Sequence, residues 1–166
     1  ERAAAAASLI INGPLETVPE KFQALLKRQK ELEKQITTMN ASMALADLDQ
    51  LIAQKVEVDG IPIIACKVPL DSPKTLREIG DKIRDKKPES IIVLGGEFDG
   101  KAALLALVAP AYTKRVKAGD LINKVAGMVG GKGGGRPDMA QAGGTMPDKL
   151  DEAIARVPAI ILELLA

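Results

Sequence analysis

The chain has 166 residues, 46% hydrophobic and 27% charged, with 23 Lys and Arg against 22 Asp and Glu for a net charge of +1. That apolar content is enough for the core of one domain of ordinary size, and the near-neutral balance supplies no global field to draw in polyanions. There is no histidine, no tryptophan, one cysteine, two phenylalanines and one tyrosine, which excludes Ser-His-Asp and Cys-His catalysis, an internal disulfide, and a groove of several stacked rings for single-stranded nucleic acid.

The chain begins Glu1-Arg2, and residues 1–11 read as the tail of a helix begun upstream, so excision from a longer protein is the expectation. After the turn Asn12-Gly13-Pro14, a second helix is signalled by Thr17 as a cap, Pro19 near the first turn and Glu20 at the positive helix end. It is expected to run to about Gln54. Phe22, Leu25, Gln29, Leu32, Ile36, Met39, Met43 and Ala46 recur in steps of three and four, a heptad seam with Gln29 as its polar member. Such a helix is roughly 54 Å long, more than a compact domain of this size needs. Its seam calls for a partner, which is the first helix, the upstream protein or a second copy of the chain, with an intramolecular hairpin and a homodimer equally open.

From Val56 the pattern changes. Val56-Glu57-Val58, the turn Asp59-Gly60 and the apolar residues 61–68 predict two strands joined by a hairpin, with Pro62 pushing the second toward an edge or a bulge. Cys66, inside that run, reads as a small buried hydrophobe in a reducing cytosol. Ser72-Pro73 followed by Leu76, Ile79 and Ile83 predicts a short helix closed by basic residues and Pro88. Residues 90–94 predict a short buried strand, residues 95–100 a tight glycine connection, and residues 101–109 a central strand buried on both faces. A helix over about 119–129 follows. Pro147 starts the last helix, with Leu150, Ile154, Val157, Ile161 and Leu165 inward and a kink at Pro158. The whole is an α/β protein: a long, coiled-coil-like helical arm (residues 1–54), then a globular α/β domain (residues 55–166) with a mixed sheet flanked by helices. No apolar run approaches the roughly 18 to 20 residues of a membrane span, so a cytoplasmic protein with no membrane partner is expected.

Residues 130–144, GGKGGGRPDMAQAGG, hold seven of the 15 glycines and end the most basic third of the chain. Between residues 101 and 137, Lys101, Lys114, Arg115, Lys117, Lys124, Lys132 and Arg136 face the single acid Asp120. A glycine run costs folding entropy, so it implies positive φ or a very close approach to something else, and a phosphate is the candidate. A Walker loop fails, with Ala126 at its first glycine position and Gly133 in place of the hydroxyl; GxGxxG fails at Arg136. A backbone N–H nest closed by Gly143-Gly144 after a strand over 139–142, with Lys132 and Arg136 as added donors, survives beside a purely structural loop whose glycines serve tight packing and whose two cations are solvated. The acids Glu97, Asp99, Asp138 and Asp148 match no two-metal or paired-carboxylate spacing and read as solvated.

At GGKGGGRPDMAQAGG the chain resembles the DHH-associated domain, in the version that ends alanyl-tRNA synthetases, and the resemblance extends over essentially the whole chain. It implies a tRNA-contacting C-terminal module that grips the outer corner of tRNA(Ala) and helps one tRNA serve the upstream aminoacylation and editing domains. It also implies no catalytic residue and no cofactor here, the parent enzyme using ATP, Mg and Zn elsewhere. On this resemblance the RNA-contacting residues are Gly131, Lys132, Gly133, Gly134, Gly135, Arg136 and Gln141, with Lys124, Tyr112, Lys114 and Arg115 before them. Tyr112 and Phe98 are each expected to pack in the core, with stacking on an exposed base pair or loop base as the alternative. Related DHH phosphoesterases use a GGGH-like motif where this chain has Gly133-Gly134-Gly135-Arg136, so hydrolysis is not expected. The alternative function is oligomerisation through the arm.

Overall fold

The computed structural model describes the backbone of residues 18–166 and the side chains of 18–36 and 48–166. The expected helix over 1–11, the Asn12-Gly13-Pro14 turn and the Thr17 cap lie outside them, as do the side chains of Met39, Met43 and Ala46. Helix α1 (Val18–Ala53) ends one residue short of the expected Gln54. The chain divides into two compact units after Ala46. In the first, Phe22, Leu25, Leu26, Leu32 and Ile36 are exposed, and the Gln29 side-chain amide donates to Glu33 Oε1 at 3.0 Å, an i,i+4 bond within the helix.

The second unit starts with the last turns of α1, where Leu48 is buried and Leu51 and Ile52 pack on the core. Strands β1 (Val56–Val58) and β2 (Ile61–Lys67) form the expected hairpin. Its turn places Asp59 at φ 51° and Gly60 at φ 75°, the type I′ geometry whose twist matches paired strands. Pro62 stands opposite Glu57, next to the closing pair Val58 and Ile61, so it occupies a wide pair that needs no N–H from it. Pairing with the next strand begins only at Ile63. Pro62 is therefore accommodated without a bulge.

Helix α2 (Pro73–Lys86) buries Leu76, Ile79, Gly80 and Ile83 and crosses over to β3 (Ile91–Phe98), the parallel neighbour of β2. A second Asp-Gly turn, with Asp99 at φ 51° and Gly100 at φ 69°, leads into β4 (Lys101–Val108), antiparallel to β3. The expected glycine connection over 95–100 is thereby reduced to two residues, because Gly95 and Gly96 are strand positions. A methyl at Gly95 would crowd Ile154, Leu104 and Leu150 at 3.1 Å, and one at Gly96 would meet the Val68 carbonyl at 2.6 Å. Packing, not turning, requires glycine there.

Helix α3 (Ala118–Met128) precedes β5 (Lys132–Gly135) and β6 (Met139–Gly144), and the mixed sheet runs β1-β2-β3-β4-β6-β5. A 3₁₀ turn at Pro147–Lys149 leads into α4 (Leu150–Ala155) and α5 (Val157–Leu165). The expected single kinked helix is thus broken at Arg156, since Pro158 has no N–H for the Ile154 carbonyl. One sheet face packs Ile63, Val93, Leu104 and Ala106 against α3, α4 and α5. The other packs Ile64, Ile92, Leu94, Leu105 and Leu107 against α2 and the end of α1.

Candidate nucleic-acid interface

The glycine segment is a hairpin, not a nest. Arg136 and Met139 exchange backbone bonds, N to O 2.8 Å and 3.3 Å, around the two-residue turn Pro137-Asp138. Antiparallel pairs alternate, so Gly134 with Gln141 and Lys132 with Gly143 are also hydrogen-bonded pairs, while Gly133 and Gly135 turn their N–H groups to the outer edge. A nest needs successive N–H groups aimed at one point from left-handed and right-handed residues in turn; in this segment only Gly130, at φ 69°, is left-handed.

The close approach that glycine permits is mostly used inside the protein. A methyl at Gly131 would overlap the Gly143 carbonyl, one at Gly133 would meet the Gln141 carbonyl at 2.5 Å, and one at Gly135 would lie 2.7 Å from Ala140 Cα. Gly133 and Gly135 lie on the face that meets α3, whose Asn123 Oδ1 accepts the Gly133 N–H at 3.0 Å. Gly134 differs: an added methyl there meets nothing within 4 Å. It points to the opposite face, with Lys132 and Arg136 two residues to either side.

Register decides what shares that face. Gly134 is opposite Gln141 and Lys132 opposite Gly143, and these stand opposite Leu105 and Ala103 of β4. Helix α2 covers β3 and β4 on this side, so β5 and β6 beyond it are open: Lys132, Gly134, Arg136, Gln141 and Gly143 are all exposed. The result is a strip of nearly bare backbone with cations at its two ends, roughly 14 Å apart. Arg136 Nε also lies 3.4 Å from Asp138 Oδ1, which holds the guanidinium beside the turn.

Residues 60–163 match the DHHA1 domain. The chain belongs to that family. This DHHA1 chain is 52% identical over 130 residues to the alanine–tRNA ligase of Ralstonia nicotianae, a match covering 78% of the chain and 15% of that enzyme. To the alanine–tRNA ligase of Cupriavidus necator it is 45% identical over 152 residues, covering 92% of the chain and 17% of the enzyme. It thus spans about a sixth of the length of the relatives it matches. Among solved structures, the C-Ala domain of Aquifex aeolicus alanyl-tRNA synthetase superposes with a TM-score of 0.60 at 26% identity, over 66% of this chain and 98% of that one.

In this DHHA1 domain the anticipated site residues separate into groups. Lys132, Gly134, Arg136 and Gln141 come together on the open face; Gly133 and Gly135 belong to the same strand but face α3, and Gly131 packs under Gly143. Lys124, on α3, pairs with Glu163 at 3.1 Å. Arg115 pairs with Asp59 at 2.5 Å, tying the segment before α3 to the β1–β2 turn. Tyr112 is half-buried against the core, and Lys114 is exposed nearby. Two further residues matter: Asn123, which meets the outer edge at Gly133, and Lys101, counted above only among the basic residues of the stretch, which register brings to the open face. Neither carries a local signal, because both roles depend on strand pairing.

No helix among the described residues is long and apolar enough to cross a membrane. Cys66 is buried, and burial pushes its thiol up to about 11.

Proposed function

We propose that the chain is the tRNA-binding C-terminal module of an alanine–tRNA ligase, with residues 1–54 as its arm and 55–166 as the domain that contacts RNA. Its open β5–β6 face receives the sugar-phosphate backbone at the outer corner of tRNA(Ala), in the cytoplasm, so that one tRNA can serve aminoacylation and editing sites elsewhere in the enzyme. Gly134 carries this reading: it is a glycine with open space above it, between Lys132 and Arg136 on an uncovered face. Bare backbone admits a ribose or phosphate closely, and the cations neutralise it. The relatives named alanine–tRNA ligase and the C-Ala fold support the choice of RNA. The family likeness and the absence of a histidine favour a binding role over a catalytic one.

Footprinting of tRNA(Ala) with the chain tests this. Protection is expected at the outer corner and lost in a Lys132→Ala, Arg136→Ala double variant. Protection confined to the acceptor end, or an unaltered footprint in the double variant, contradicts the assignment. A second reading, self-assembly through the arm, is favoured by the exposed Phe22, Leu25, Leu32 and Ile36 of α1. Sedimentation equilibrium decides it, since a monomer at tens of micromolar excludes strong self-association.

A further inference from the structure

The face that carries Lys132 and Arg136 is open again at the far ends of β4 and β3, where Lys101 and Phe98 are exposed beyond half-buried Ala103 and buried Gly96. Phe98 stands opposite Lys101, and two residues further along β4 Ala103 stands opposite Gly143, itself opposite Lys132. Side chains alternate with period two, so Phe98, Lys101, Ala103, Gly143 and Lys132 share one face. At roughly 4.8 Å between strands and 3.4 Å per residue, Phe98 lies about 12 Å from Gly143 and Lys101 about 8 Å. No residue that β3, β4, β5 and β6 turn to this face is an acid; Glu97 faces the other way. The flanking acids are Asp71, which accepts from the Thr75 hydroxyl, the exposed Asp99 in the turn between Phe98 and Lys101, and Asp138 beside Arg136.

Phe98 is 38% exposed at the end of this face, whereas Tyr112, the other aromatic residue of the second unit, packs against the core. A single exposed ring is ordinary on a protein surface. A ring paired across strands with a lysine, on an acid-free face that also holds two further cations and a bare glycine floor, has the composition of a stacking contact for single-stranded RNA. Lys101, Lys132 and Arg136 on one face favour a polyanion over an apolar partner, and the exposed Glu97 and Asp99 on either side of Phe98 make a base rather than a phosphate the partner of that ring.

We propose that Phe98 stacks on an unpaired or terminal base while Lys101 meets the phosphate joining that nucleotide to those on the glycine face. The contact rests on the tRNA-binding reading and extends the site by one nucleotide position. Phe98→Leu keeps apolar bulk but loses the π face; Phe98→Tyr keeps both. In filter binding of a tRNA transcript to the whole chain, Phe98→Leu is expected to weaken affinity about fivefold or more and Phe98→Tyr to stay within about twofold. Neither changes the salt slope, whereas Lys101→Ala lowers it by about one.

The chain contains no tryptophan, so Phe98→Trp supplies a single indole, excited selectively over Tyr112, whose emission is expected to be quenched at saturating tRNA. Wild-type affinity in Phe98→Leu, or unquenched emission from Phe98→Trp, overturns the stacking contact. If the Lys132→Ala, Arg136→Ala variant loses binding while the Phe98 variants do not, the stacking contact fails and the tRNA reading stands. If no variant alters binding, both fail. Loss of self-association in Phe98→Ala with unaltered tRNA binding assigns the ring to a protein contact and also overturns the proposal.

Discussion

The Asn123 side-chain carbonyl accepts the Gly133 N–H at 3.0 Å, so at Gly133 the free edge of β5 is met by a helix side chain rather than by another strand. A strand of one lysine and three glycines has almost no side chain to pack. Its position depends on the β6 ladder and on α3. Asn123→Ala is expected to cost about 0.5–1.5 kcal/mol and to speed amide exchange at Gly133 specifically. Asn123→Asp, which keeps the acceptor, restores protection. Unchanged exchange at Gly133 in the alanine variant would remove the bond from the account.

The glycines of the hairpin should divide by what lies above them. Gly133→Ala drives a methyl into Ala142 and the Gln141 carbonyl and is expected to destabilise by about 1–3 kcal/mol. Gly134→Ala enters open space, so stability should hold or rise by up to about 1 kcal/mol as the unfolded chain loses freedom. Its tRNA affinity should nonetheless fall, because the methyl occupies the approach path. Urea unfolding and tRNA titration on the same samples check both halves. A Gly134→Ala protein that binds like wild type contradicts the interface.

Cations on the open face should differ from those elsewhere. Lys132→Ala and Arg136→Ala are each expected to lower the slope of log affinity against log salt by about one. Lys124→Ala, on α3 and paired with Glu163, should leave the slope unaltered. Equal losses at all three positions would mean a diffuse basic attraction with no defined face.

Cys66 predicts an alkaline limit to stability. Its thiol stays protonated to about 11 in the folded protein against 9.0 ordinarily, because burial disfavours the thiolate. The unfolded chain therefore loses this proton first. The Cys66 contribution is complete below pH 9.0 and is lost progressively as pH rises toward about 11. Denaturation midpoints of wild type and Cys66→Ala, taken from pH 8 to pH 11, should converge as pH rises. Parallel curves would contradict the assignment.

Much of the architecture was legible because it is written locally. Asp59-Gly60 marks a turn with positive φ at both positions, and the spacing of Leu76, Ile79 and Ile83 marks a helical face. The short apolar strands declare burial through residue type alone. Glycine shows no such period, so residues 132–135 read as a loop when they form a strand. The same blindness placed a turn at Gly95 and Gly96, where Leu150, Ile154 and Leu70 press on the backbone.

The sequence by itself determined most of the helices, the Asp59-Gly60 hairpin and the α/β class. Only the tertiary structure decided why the glycines are there and which cations act together. Turns and helical faces depend on residues a few positions apart, whereas Lys101 reaches the face of Lys132 and Arg136 only through the pairing of β4 with β6 and of β6 with β5. A glycine has no side chain to announce its surroundings, so its role is set by what the fold brings against it: Gln141 and Ala142 at Gly133, and open space at Gly134.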